Sequence, residues 1–335
     1  MRVARLHAPA DIRLADEPVP DQGPGHSLVR VTAVGICGSD LHWWSEGGIG
    51  DAKLRTPLVL GHEIAGVIVM GPRAGQRVAI DPAIPCEDCQ QCRDGYRNLC
   101  RQVQFAGHGN VDGGMRDFLT WPTALLHRLP DRLTACDGAM LEPLGVAAHC
   151  IDLGHLRLGG TAAVVGCGPI GLLVIQLLRL TGAARIVAID PLAHRREAAA
   201  QLGADSTVGP AASTGLDDLT QGGADVVFEL AGVGQAVQLA MTAARPGGRV
   251  VLAGIPDDDR VVFQASIARR KGLTIAMVRR MNDACPRAIR LAASGTVGLA
   301  SLVTHRFPLE AAAEAMQTAA SRDGLKTVIE PRGVG

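Results

Sequence analysis

Aromatic side chains are scarce in this chain: three Trp, five Phe and a single Tyr among 335 residues. A surface that stacks nucleic-acid bases needs more than that. Excess charge is missing too, since Lys+Arg and Asp+Glu are equal at 33 each, so no net field holds nucleic acid or an anionic membrane. Long apolar runs are also absent. The most apolar segment, Thr161 to Leu180, is broken by Gly166, Gly168, Pro169, Gly171, Gln176 and Arg179. A membrane span needs roughly 20 predominantly apolar residues, so this stretch reads as a buried strand and helix. Met1 to Leu6 alternates charged and apolar residues and lacks the apolar core of a signal peptide. The expectation is a cytoplasmic protein with a small-molecule partner, no nucleic acid and no membrane.

What is present is enough for two domains. Up to about residue 140, short β-like runs broken by Gly and Pro predominate, among them Leu28 to Val34, Ile64 to Met70, Arg77 to Ile80 and Asp117 to Trp121. From about Gly145, strands alternate with helices. Apolar runs at 162–165, 185–189, 206–208, 225–230, 249–253 and 274–277 are interleaved with helix-length stretches such as Ile170 to Leu180 and Ala193 to Leu202. That alternation predicts an α/β fold with a parallel, doubly wound sheet. Past Ala284 a helix (286–294), a strand (302–307), an Ala-rich helix (309–320) and a last strand (325–329) form a tail too short to fold alone. The tail is expected to return to the first part. The expected domains are therefore 1–144 with 285–335, and 145–284.

Gly166-Cys167-Gly168-Pro169-Ile170-Gly171 fits GxGxxG, follows an apolar strand and opens a helix. Gly166 allows the tight turn, Gly168 lets the backbone approach a pyrophosphate, and Gly171 permits close helix–strand packing. The helix N-terminus then offers unpaired N–H groups to the phosphates. Asp190 ends the next strand, 19 positions beyond Gly171, where a carboxylate accepts hydrogen bonds from ribose hydroxyls and repels a 2′-phosphate. This favours NAD over NADP, although Arg195 and Arg196 lie close enough to bind a 2′-phosphate.

Four of the nine cysteines, Cys86, Cys89, Cys92 and Cys100, crowd into fifteen residues. Thiolates at these separations can close a tetrahedron around zinc, with Zn–S distances of about 2.3 Å, and leave no position open for substrate. The zinc they hold would be structural. A [4Fe–4S] cluster commonly has three residues before its last Cys, then Pro; here there are seven, then Arg101. Cys136, Cys150, Cys167 and Cys285 stand alone in apolar surroundings and read as inert core.

A second donor set is dispersed: Cys37 in Gly35-Ile36-Cys37-Gly38-Ser39-Asp40, and His62-Glu63 after Gly61. A thiolate, an imidazole and a carboxylate suit a zinc with an exchangeable water. Glu142, where the β-rich part passes into the α/β part, can reach the same metal directly or through water. By spacing alone, a lone Cys and a distant His-Glu pair are more often core and surface residues than a metal site.

Gly35 to Trp44, followed by Pro57-Leu58-Val59-Leu60-Gly61-His62-Glu63, resembles the zinc-dependent medium-chain dehydrogenases, most of all the sorbitol (polyol) and idonate dehydrogenase branch. The likeness extends through the cysteine lobe, Leu141-Glu142-Pro143-Leu144, the Gly-rich turn and Thr304 to Leu309. It implies a GroES-like catalytic domain joined to a Rossmann domain, with NAD and two zinc ions per chain, one catalytic and one structural. Cys37, His62 and Glu63 match the family's catalytic-zinc positions, and Glu142 matches a carboxylate beside the metal or its water. Ser39 and His42 match its proton relay, and Asp40 the acid that orients the zinc histidine. Ile170, Asp190 and Arg195 match NAD contacts, Arg280 a substrate-side arginine. Trp43 and Met281 replace residues that are often Tyr in polyol enzymes, and Trp43 is expected at the substrate.

The implied reaction is NAD-dependent oxidation of a secondary alcohol of a polyol or sugar acid to the ketone, NAD⁺ binding first. The same chemistry on L-threonine, a cyclitol or aminocyclitol, or a sugar phosphate stays open, as does, more remotely, a zinc-free quinone or enone reductase. The branch implies a homotetramer or homodimer.

Overall fold

A computed structural model of the chain describes residues 1–211, 220, 222–256 and 259–331. Two compact units emerge, Met1–Gly145 with Asn282–Gly335, and Val146–Met281. The dividing point falls inside a single helix, Leu141–Gly154.

The first unit is built on a seven-stranded sheet. Its order is Leu126–Arg128, Arg77–Ile80, Glu63–Met70, His26–Gly35, Lys326–Glu330 and Val303–Pro308, with Phe118–Pro122 also paired to His26–Gly35. Neighbours are antiparallel except the last two, which run parallel. Val29, Val31, Val34, Ile64, Ile68, Val78 and Ile80 from these strands are buried in one core. Each such side chain contributes about 1.5–3 kcal/mol through burial. The C-terminal strand enters this sheet with Val328 opposite Gly35 and Ile329 opposite Val34. A smaller sheet pairs Arg2–Ala8 with Asp11–Asp16 and Leu58–Val59, so the charge–apolar alternation at the N-terminus is that of a strand.

The second unit holds six parallel strands in the order Ser206–Val208, Arg185–Ile189, Thr161–Val165, Ala224–Glu229, Ala244–Leu252 and Thr274–Met277. Val164, Val165, Val187, Ala188, Val227 and Val250 are fully or almost fully buried, the mark of a sheet covered on both faces. The strand order reverses beside Thr161–Val165, and in such sheets the ligand crevice opens at the carboxyl ends of the strands at that point.

Most element limits lie within a residue or two of the sequence expectation. Two differ more. The strand read from 249 begins at Ala244 and carries Pro246 and Gly247 within it. The helix read over 309–320 starts as a tight turn, Leu309–Ala311, before Ala312–Ser321.

Candidate active site

Cys37 lies two residues beyond the long strand His26–Gly35, at the N-cap of the helix Gly38–Glu46. His62 and Glu63 open the neighbouring strand, where Glu63 lies directly opposite Gly35. This register brings Cys37, His62 and Glu63 together, one ligand atom from each lying within 4.8 Å of the others. His62 and Glu63 are buried and Cys37 is partly buried.

Asp40 orders this group. Its carboxylate accepts from the backbone N–H of Cys37 at 2.9 Å and of Gly61 at 3.1 Å, and faces His62 Nδ1 at 3.4 Å. With Nδ1 so directed, Nε2 is the nitrogen left to face the trio. Burial alone would raise the Asp40 carboxyl, but His62 and the two N–H groups outweigh it and hold Asp40 below the usual range. Burial would lower His62, yet Asp40 and Cys37 together push it well above its ordinary value. An anionic pocket that retains a proton this firmly is one a cation would fill.

Sequence reasoning missed Lys326. Its Nζ lies 2.5 Å from one Glu63 oxygen and 2.6 Å from the other, with both side chains buried. The final strand delivers it, because Val328 pairs with Gly35 just as Glu63 does on the other side. Gly35 makes room for the pair: a Cβ there would stand 1.9 Å from a Glu63 oxygen and 3.0 Å from the Lys326 side chain. Burial opposes the Lys326 charge, but Glu63 and Cys37 outweigh it and raise the ammonium above its usual value. A lysine opening the fully buried strand Lys326–Glu330 was the one available signal.

The other predicted site residues are placed as follows. Ser39 Oγ stands 3.5 Å from His62 Nε2. His42 Nδ1 is 3.0 Å from Glu46 Oε1, one helical turn on, where Glu46 is partly open to solvent. Glu142, in the first turn of Leu141–Gly154, is buried and lies outside the ligand-distance trio. Burial raises its carboxyl to about 7, with the Glu63 charge adding to the effect and His62 opposing it. Trp43 is only 1 % exposed, its indole N–H donating to His108 Nδ1 at 3.1 Å within the core. Phe105 packs on His62, ring centres 5.2 Å apart. Arg280 belongs to the second unit, with a left-handed φ of 58°.

Cys86, Cys89, Cys92 and Cys100 also meet within ligand distance. Cys89 caps the short helix Gln90–Arg93, which carries Cys92, and a single turn at Arg97–Leu99 leads to Cys100. The backbone N–H of Cys86 points to Cys100 Sγ and that of Cys89 to Cys86 Sγ, both at 3.3 Å. N–H donors aimed at sulfur favour thiolates, so the lobe fits a closed Cys₄ zinc site.

In the second unit, Gly168 is the N-cap and Pro169 the first residue of Pro169–Leu180. Gly166 takes a φ of 97°, and a Cβ on Gly171 would stand 2.0 Å from the Gly166 carbonyl oxygen, so both positions demand glycine. A Cβ on Gly168 would meet nothing nearer than Arg195 Nη1 at 3.8 Å. The turn is thus open to an approaching phosphate, with a guanidinium beside it. Asp190 is buried, accepting from Cys167 N at 2.8 Å and Leu192 N at 2.9 Å, which fixes its carboxylate at the end of the second strand. Ile170 occupies the first turn of the same helix.

Residues 23–131 match the alcohol dehydrogenase GroES-like domain, and residues 169–294 match the zinc-binding dehydrogenase domain. The sorbitol dehydrogenase of Rattus norvegicus is 36% identical over 97% of this chain and 94% of its own length. The chain belongs to the zinc-dependent medium-chain dehydrogenases, in their sorbitol dehydrogenase-like branch. Solved structures agree in fold. L-idonate 5-dehydrogenase from Escherichia coli K-12 superimposes with a TM-score of 0.92 at 26% identity, covering 98% of this chain and 97% of that one. A protein from Sinorhizobium meliloti 1021, described as a zinc-binding dehydrogenase and bound to NADP, gives 0.90 at 31%, covering 98% and 99%. Membership explains why two donor sets and a dinucleotide turn occur in one chain. The first unit carries the GroES-like match and both donor sets, and the parallel sheet of the second carries the Gly-rich turn.

Proposed function

We propose that this enzyme oxidises a secondary alcohol of a polyol or sugar acid to the ketone with NAD⁺, using zinc at Cys37, His62 and Glu63. The observation that carries the reading is the buried trio, aligned by Asp40 and balanced by Lys326, in a family whose relatives include sorbitol and idonate dehydrogenases. The catalytic part is taken as residues 1–144 and 285–335 and the NAD-binding part as 145–284.

Bound there, zinc supplies Lewis-acid polarisation of an alcohol oxygen, and the nicotinamide supplies the hydride acceptor. The residues of the chain do the rest. Asp40 fixes the His62 ring so that Nε2 serves as donor. Lys326 offsets one carboxylate, so that a dication faces a set of moderate net charge. Ser39, beside His62, takes the hydroxyl proton, and His42 with Glu46 leads it outward. Glu142, with its carboxyl near 7, serves as a second proton acceptor or a water-mediated ligand. Cys86, Cys89, Cys92 and Cys100 hold the structural zinc. Gly166, Gly168, Ile170 and Gly171 receive the pyrophosphate; Asp190 holds the ribose hydroxyls, with Arg195 alongside. Arg280 is assigned to the substrate, and Trp43 acts through His108, not by direct contact. With both groups bound, loss of one hydride from the carbinol carbon and one proton from its oxygen would give ketone, NADH and H⁺.

A homotetramer or homodimer is the proposed assembly. Among the described residues, Thr274–Met277 forms a sheet edge with Ile275 and Met277 exposed, a rim suited to a second copy. Cytoplasmic residence is proposed from the clustered cysteines; among the described residues no helix is long and apolar enough to cross a membrane.

The test is NAD⁺ reduction by zinc-replete protein across polyols, aldonates, inositols, sugar phosphates, L-threonine and simple alcohols, with NADP⁺ in parallel. Activity on polyols or aldonates, lost with a chelator and weaker with NADP⁺, is the expected result. Turnover of a quinone or enone that survives complete zinc removal would replace the reading by a zinc-free reductase.

A further inference from the structure

A third group of metal-type side chains lies in the first unit and shares no ligand with the two sets assigned above. Asp81 follows the strand Arg77–Ile80, and His127 lies on the neighbouring strand Leu126–Arg128, opposite Ala79. Cys285 is the first residue of the helix Cys285–Ser294 in the C-terminal segment. One ligand atom from each lies within 4.8 Å of the others. Cys285 is 1 % exposed, Asp81 9 %, and His127 is half-buried. We propose that Asp81, His127 and Cys285 form a third divalent-cation site, selective for a zinc-like ion.

The donor set supports that choice. A thiolate, an imidazole and a carboxylate are the mixed ligands zinc accepts, whereas calcium and magnesium take oxygen alone. Charge closes as well, because a dication with one thiolate and one carboxylate is neutral, which suits a low-dielectric position. Three protein ligands leave a fourth position to water, so this ion should exchange more readily than one held by the Cys₄ lobe.

The surroundings position two of the three ligands. Asp81 is fixed from three sides: its N–H donates to the Leu125 carbonyl at 2.9 Å, its carbonyl accepts from Trp121 Nε1 at 2.8 Å, and one carboxylate oxygen accepts from Ala83 N at 3.1 Å. The other oxygen has no protein hydrogen bond given to it among the described residues and is left for a ligand. Cys285 heads a ten-residue helix whose N-cap, Ala284, makes no side-chain hydrogen bond, so the helix N-terminus itself favours a thiolate. Without a cation, burial drives all three toward neutral forms: Asp81 up to about 6, Cys285 well up, and His127 down. Arg97, whose field reaches Asp81 and His127, is itself paired with Glu87 and with Asp283 at 2.7 Å. A metal here would bolt the C-terminal helix to the strand pair beside the cysteine lobe. Cys285, read from sequence as inert core, then has a role.

Zinc per chain is counted in the full-length protein, and in its C285A and H127F variants, after dialysis against buffered micromolar zinc. The readout is the difference between proteins, so it does not depend on whether the other two sites fill. The expected result is one zinc fewer in each variant than in the wild type, with alcohol oxidation retained. Equal zinc in wild type and variants overturns the site, whatever the total. Should C285A fail to fold, H127F carries the same comparison alone.

Discussion

The two assigned donor sets of the first unit solve opposite problems. The cysteine lobe is local in sequence, partly exposed and edged by surface ion pairs, Arg93–Asp88 at 2.6 Å and Arg97–Asp283 at 2.7 Å. The trio of Cys37, His62 and Glu63 is assembled from separate elements, largely buried, and backed by the buried Lys326–Glu63 pair. A closed set of four thiolates needs little besides its own backbone N–H groups. An open set of mixed ligands needs neighbours that fix a ring, balance a charge and leave a position free. The difference between a metal that holds a loop and one that does chemistry is written in those neighbours.

The largest stability effect should come from breaking the buried pair. Lys326→Met leaves the Glu63 carboxylate buried and uncompensated, with an expected loss of about 3–5 kcal/mol in denaturant unfolding of the metal-depleted protein. Adding Glu63→Gln should return much of that loss. If K326M unfolds like the wild type, the pair is not what balances the site. Next comes Asp40→Asn, which removes the charge facing His62 Nδ1. Zinc affinity at the trio should fall about 10- to 100-fold, read by competition with a chromophoric chelator, while the lobe keeps its metal. A comparable effect is expected at the other ligand. Asp190→Ala should weaken NADH binding by about 1.5–3 kcal/mol and narrow the preference over NADPH. The smallest effect belongs to the lobe's rim: Arg97→Ala should cost no more than about 1 kcal/mol, because its partners are exposed.

What was legible in the sequence follows the same division. The lobe could be read from spacing, since all its ligands share one short segment. GxGxxG and Asp190 were legible because a βαβ unit fixes their separation. The trio needed the family likeness, because its assembly depends on sheet register between Gly35 and Glu63. Lys326 and the Asp81–His127–Cys285 group escaped altogether, for both arise when the C-terminal segment returns to strands laid down near the start of the chain. Trp43 is a different case. Its place in the motif pointed to substrate, but a core position with a hydrogen bond to His108 takes the ring inward.

The central claim is that the trio performs catalysis and the lobe does not. The direct measurement is kcat per folded molecule for Cys37→Ser and Cys100→Ser on the best alcohol from the panel, with NADH binding as the control. The account predicts that C37S loses about three orders of magnitude in kcat, several kcal/mol of Lewis-acid stabilisation, yet binds NADH normally. C100S should lose zinc and thermal stability while its folded fraction turns over within about twofold of the wild type. Normal turnover by C37S, or a C100S protein that is folded but inactive, would contradict it.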